Sequence, residues 1–129
     1  MSFTTRARFS AFLVPLALAI ALVAATPAFA IGRIARNVAV IKKVAAEKGY
    51  KAADAQALIT LAKRESGLSS TPRTGHYVGL FQVPCEGWVA RKGRWKNPET
   101  NTRIALQYIK KRYVTPRRAL AHSYSHGWY

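Results

Sequence analysis

Of the five carboxylates in the 129 residues, Glu65 stands where a carboxyl group can do acid–base chemistry. Apolar residues at Ala55, Leu58, Ile59 and Ala62 recur at helical spacing over about Ala53 to Arg64, and Gly67 supplies a left-handed stop. Glu65 therefore falls in the last helical turn, where the negative helix end opposes its ionisation. Partial burial would act in the same direction, toward the raised pKa that a general acid requires. A Glu-Ser-Gly at a helix end is also an ordinary C-terminal turn, so spacing alone leaves both readings open.

The other acids have simpler readings. Glu47 belongs to a first helix, Asp54 to the start of the second, and Glu99 to the first turn of a third, where negative charge is favourable. Glu86 follows the compact segment Gly79-Leu80-Phe81-Gln82 and is the sequence's candidate for a second carboxylate; its alternative is a solvated loop acid. The three histidines lack metal-site spacing with Cys or carboxylate partners, so neither metal nor cofactor is expected. Cys85 is the single cysteine, which excludes an internal disulfide and reads as a small buried residue.

Positioning these residues falls to a few helices. Ile34, Val38, Ile41 and Ala45 predict a helix from Ile34 to Lys48, ended by Gly49. Ser69 to Gly75 reads as a loop, and Tyr77-Val78 can open a small hairpin near residues 76–83. Asn97-Pro98 and Thr115-Pro116 are helix starts. The first opens a helix with a stripe of Ile104, Ala105, Tyr108, Ile109 and Tyr113, and the second a helix over about Arg117 to Ser123. Tyr108 is assigned to a cleft and Trp128 to the core.

Residues 1–30 read as an export signal: Arg6 and Arg8 precede the apolar run Ala11–Ala25, and Ala28-Phe29-Ala30 matches a small-x-small cleavage site; the competing reading is an uncleaved anchor, since Ala11 to Ile31 is almost long enough to cross a bilayer. Cleavage would leave residues 31–129 as one small domain with no membrane span. Without Arg6 and Arg8, 19 basic residues face five acidic ones, a formal +14. In an exported monomer that charge points to anionic cell-wall polymers or lipid surfaces rather than nucleic acid.

The order of motifs carries more than any one of them. Glu65-Ser66-Gly67, Gly79-Leu80-Phe81-Gln82, Asn97-Pro98 with Asn101, Tyr108-Ile109 and Arg112-Tyr113 occur in the sequence of a lytic transglycosylase domain. Together with Thr115-Pro116, Ala119-x-Ala121-His122-Ser123 and Gly127-Trp128-Tyr129, they make residues 58–129 resemble the short exported transglycosylase-like domains of actinobacteria and their phages, within the lysozyme-like superfamily. The resemblance implies a peptidoglycan substrate cleaved between MurNAc and GlcNAc, leaving 1,6-anhydromuramyl ends. It also implies Glu65 as catalytic acid and base, Gln82 as a hydrogen-bonding partner of bound sugars, and Gly79, Leu80 and Phe81 as a cleft wall. One departure is His122-Ser123 where the wider family has Tyr-Asn; His122 either replaces that sugar contact or packs within the helices. A hydrolytic muramidase using Glu65, with Glu86 as base, and a non-catalytic cationic wall-binding protein are the alternatives. The expected fold is mainly α, a small lysozyme-like helical domain with at most a minor β-hairpin near residues 76–83.

Overall fold

The computed structural model describes the backbone of residues 17–87 and 91–129 and the side chains of residues 28–87 and 93–129. It is mainly helical: α1 (Ala17–Glu47), α2 (Ala52–Ser66), α3 (Pro98–Tyr113) and α4 (Pro116–His126) surround a three-stranded antiparallel sheet. The strands are β1 (Arg73–Thr74), β2 (Tyr77–Val78) and β3 (Val83–Pro84), and a 3-10 segment (Arg91–Lys96) leads into α3.

Local chemistry explains most of the helix boundaries. The Asn97 side chain accepts the Thr100 amide at 3.0 Å and Thr115 accepts that of Arg118 at 3.3 Å, each ahead of a proline in the first turn. Gly67 and Gly127 close α2 and α4 in the left-handed region. Thus α4 starts at the expected cap but runs on to His126, because the stop is Gly127.

α1 begins much earlier than Ile34. It runs without interruption from Ala17 through Pro27 and the expected cleavage site; residues 1–16 of the expected signal lie outside the described residues. Over residues 28–36 the described side chains are mostly exposed, with Phe29 at 74% and Ile31 at 66%, and Asn37 is the first buried described residue of the helix. Ile34, expected in the apolar stripe, is likewise exposed, and Val44 joins Ile41 and Ala45 instead. The reason is a shift of partner: Asn37 Nδ2 donates to the Leu68 carbonyl at 2.8 Å, and this contact marks where the loop after α2 stops covering α1. Among the described residues no helix is long and apolar enough to cross a membrane.

The core gathers Ile41 and Val44 of α1, Leu58 and Leu61 of α2, Ile109 of α3 and Ala119 of α4 around fully buried Phe81. The sheet is larger than the expected hairpin. Arg73 and Thr74, placed in a loop by their composition, pair with Val78 and Tyr77 around Gly75-His76, while Tyr77 and Val78 pair with Pro84 and Val83. Two-residue strands are held by backbone bonds to their neighbours, and side-chain type says little about them.

Candidate active site

Glu65 lies in the last turn of α2, as its spacing predicts, and opens into a cleft of about 890 Å³. That is an ample volume for a small-molecule or oligosaccharide site. Its walls come from several elements: Ile104, Tyr108 and Arg112 from α3, Trp128 and Tyr129 from beyond α4, and Thr74, Tyr77, Gln82 and Glu86 from the sheet region.

The Glu65 carboxyl differs from the other four. Glu47 and Glu99 share Arg103 and Lys43. Asp54 pairs with Arg117 at 3.1 Å, and Glu86 meets His76 Nε2 at 3.1 Å. No described residue forms an ion pair or hydrogen bond with Glu65. Its neighbour Arg64 is drawn to α4, where Nε reaches Ser123 Oγ and Nη2 the Ser123 carbonyl, both at 3.1 Å, with the guanidinium 4.4 Å from the Tyr124 ring centre. Burial raises the Glu65 pKa above its ordinary value, and the Arg64 charge only partly offsets this. The result is a half-buried acid without a partner, facing open cleft.

The segment behind it is fixed mainly through its backbone. Asn101, fully buried on α3, accepts the Phe81 amide at 2.8 Å and donates to the Val78 and Trp95 carbonyls at 3.1 and 3.2 Å. Ser66 Oγ donates to the Leu80 carbonyl at 2.7 Å, and the Tyr129 hydroxyl donates to the Phe81 carbonyl at 2.6 Å. Burial, with the nearby Glu65 charge adding to it, holds the Tyr129 phenol well above its ordinary pKa, so it remains a neutral donor. Gly79, at φ 78°, is pressed so closely by Asn101 and the Trp95 carbonyl that a side chain has no room.

This geometry divides the sequence-predicted site. Glu65, Gln82 and Tyr108 line the cleft. Gly79, Leu80 and Phe81 do not: Leu80 and Phe81 are wholly buried, and the segment supports the site from beneath rather than forming its surface. Their carbonyls are already engaged by Ser66 and Tyr129, which explains why the apolar side chains can turn inward. Gln82 Nε2 donates to the Gly79 and Pro72 carbonyls at 2.9 and 3.2 Å, which leaves its oxygen as the end available to a ligand.

His122 also lies outside the cleft lining. It stacks on His126 with ring centres 4.0 Å apart and meets the Trp128 ring edge-on at 4.4 Å, so it backs the cleft wall. Burial, then the His126 and Arg112 charges, lower its pKa. Trp128 corrects the core assignment: it is 47% exposed and lines the cleft. The inward face of α4 is closed by Ala119 and Ser123, small residues that leave no space for an indole, and Gly127 turns the chain back toward α3.

Glu86 lines the same cleft with a side chain 74% exposed. Cys85 is a free, half-buried thiol against the core, and Trp88, which the sequence offers either as a sugar-stacking ring or as packing, lies outside the described residues. Among the described residues no group of three or more His, Cys, Asp or Glu side chains forms a metal site. Arg112 was not among the residues expected at the site, whereas Ile104 belongs to the stripe read from the sequence as buried or cleft-facing. The signal was present in the four-residue spacing of Ile104, Tyr108 and Arg112, which places all three on one helix face.

No family model, curated protein or solved structure matches the chain. Function is therefore argued from the cleft and from the motif order.

Proposed function

We propose that the chain is an exported, envelope-located lytic transglycosylase that binds a peptidoglycan glycan strand in this cleft and cleaves the MurNAc-GlcNAc bond with Glu65. The observation that carries the proposal is the half-buried, unpartnered Glu65 carboxyl in a cleft walled by Tyr108, Trp128 and Tyr129. A raised pKa keeps the carboxyl protonated far enough into the working pH range to donate to the glycosidic oxygen. As that bond breaks, positive charge develops at the muramyl anomeric carbon. The muramyl C6 hydroxyl attacks this carbon, the Glu65 carboxylate takes the hydroxyl proton, and a 1,6-anhydro ring closes. Proton count balances, and one protein carboxylate suffices.

The aromatic rings offer stacking faces for sugars, and Gln82 presents an acceptor oxygen for a sugar hydroxyl or acetamido group. The basic surface would hold the exported domain to anionic wall polymers. Removal of residues 1–30 is compatible with the core as far as the described side chains go, since among them the buried face of α1 starts at Asn37.

A second reading is favoured by Glu86, which lines the same cleft. With Glu86 as general base, water would attack and the chain would be a hydrolytic muramidase. Mass spectrometry of muropeptides released from purified peptidoglycan separates the two. Transglycosylation gives muramyl ends one water lighter than hydrolysed ends, and Glu65→Gln lowers their release by about 10²-fold or more. Ordinary reducing ends that depend on Glu86 establish the hydrolase; lysis unchanged by Glu65→Gln overturns both and leaves a cationic wall-binding protein.

A further inference from the structure

Arg112 is a cleft-lining cation that the proposed bond cleavage does not use. Its surroundings fix the guanidinium without neutralising it. It lies 5.0 Å from the Trp128 ring centre, 5.7 Å from that of Tyr113 and 5.9 Å from that of Tyr108. Nη1 donates to the Tyr108 hydroxyl at 3.0 Å. Three aromatic contacts and one hydrogen bond restrain a long side chain that would otherwise sample many rotamers.

Among the described residues no Asp or Glu side chain pairs with this charge. Four of the five acids in the chain are committed to Arg103, Lys43, Arg117 and His76, and the fifth is the unpaired Glu65. Arg64 is the cation whose charge offsets the shift of Glu65, and Arg112 does not contribute there. Glu65 on α2 and Arg112 on α3 line the same cleft from different elements. Nη1 is engaged by Tyr108, and the guanidinium carries further donors at Nε and Nη2, an edge that matches the two oxygens of a carboxylate.

We propose that Arg112 is a specificity-determining residue that binds a carboxylate of the glycan strand's muramyl substituent, away from the bond being cut. The carboxylate belongs either to the stem peptide or, on a muramyl residue that carries no peptide, to the free lactyl group. This subsite rests on the peptidoglycan reading and adds a requirement to it: the strand must be anionic where it meets Arg112, and a neutral aminosugar polymer is a poor ligand.

The test measures binding of soluble glycan strands to the full chain carrying Glu65→Gln, so that strands stay intact. Three strand preparations are compared: native, with carboxylates converted to carboxamides, and peptide-free with only lactyl carboxylates. Native strands are expected to bind about ten-fold tighter than amidated ones. Adding Arg112→Ala removes that preference, and Arg112→Lys, which keeps the charge but loses the planar fork, restores part of it. Arg118→Ala removes an equal charge from an exposed position outside the cleft and leaves the preference intact. Peptide-free strands that bind like native ones show that a freed lactyl carboxylate also satisfies Arg112, and weaker binding confines the contact to stem-peptide carboxylates; both outcomes uphold a carboxylate subsite.

A preference that survives Arg112→Ala overturns the proposal, as does a variant that weakens native and amidated strands equally, since Arg112 would then only prop the aromatic wall. Turnover is measured separately with Glu65 intact. Arg112-dependent preference without released muramyl ends removes the transglycosylase reading and keeps the subsite; released anhydro ends without the preference do the reverse.

Discussion

Asn101 is where the fold and the candidate site are joined by one side chain, and Asn101→Ala should be among the most damaging single substitutions in the molecule. The amide is fully buried and makes three hydrogen bonds to backbone groups of Val78, Phe81 and Trp95. At about 1 kcal/mol for each bond, with a further 1–3 kcal/mol for a buried Phe81 amide left without an acceptor, the loss amounts to about 4–6 kcal/mol. A domain of this size has roughly 5–15 kcal/mol in total, so the variant sits near the edge of folding. Urea unfolding at neutral pH, followed by tryptophan fluorescence, measures the difference. A loss below about 1 kcal/mol would refute the reasoning. A second variant sharpens the test, because a Cβ at Gly79 overlaps Asn101 Nδ2 and stands 2.8 Å from the Trp95 carbonyl. Gly79→Ala and Asn101→Ala act on one contact, so the double variant should be less destabilised than the sum by about 1 kcal/mol or more. Strict additivity would show that Gly79 and Asn101 are not packed as described.

Glu65→Gln should stabilise the folded chain near neutrality while abolishing bond cleavage. The folded state holds the Glu65 proton more tightly than the unfolded chain, whose value is near 4.5, so the wild-type chain loses stability as pH rises above that value. The variant's advantage in thermal midpoint should therefore be present at pH 7 and vanish well below pH 4.5; an advantage independent of pH would contradict a desolvated carboxyl. In turnover, the alkaline limb of kcat/KM should follow loss of the Glu65 proton, and its midpoint should lie above the ordinary Glu value. Val114 joins α3 to α4 at φ 72° with a β-branched side chain 59% exposed, and Val114→Gly should raise stability by about 1 kcal/mol in the same urea assay. Unchanged or reduced stability would show that the strained turn is not relieved by losing the side chain.

The legible parts of the chain were those governed by neighbours in sequence. Asn97-Pro98, Thr115-Pro116 and Gly67 each set a helix boundary through a cap or a left-handed turn, and all three appear as expected. The helical position of Glu65 followed from the same local rules. Ile34 misled because helical periodicity marks one face of α1 without saying how far along that face another element extends. β1 was missed because its two residues are polar and their pairing depends on Tyr77 and Val78 across a turn.

By itself the sequence determined the helical elements, their caps, the basic charge and the placement of a lone Glu at a helix end, since these arise from covalent order and short-range hydrogen bonding. Only the tertiary structure decided which groups share the cleft. It turned Leu80 and Phe81 into the core and left their carbonyls to Ser66 and Tyr129, and it brought Trp128 out beside Arg112. Above all it drew Arg64 to Ser123, far along the chain, so that Glu65 keeps no ion-pair partner among the described residues. Whether a carboxyl is paired is a competition among contacts distant in sequence, and burial and geometry settle it only when the helices pack.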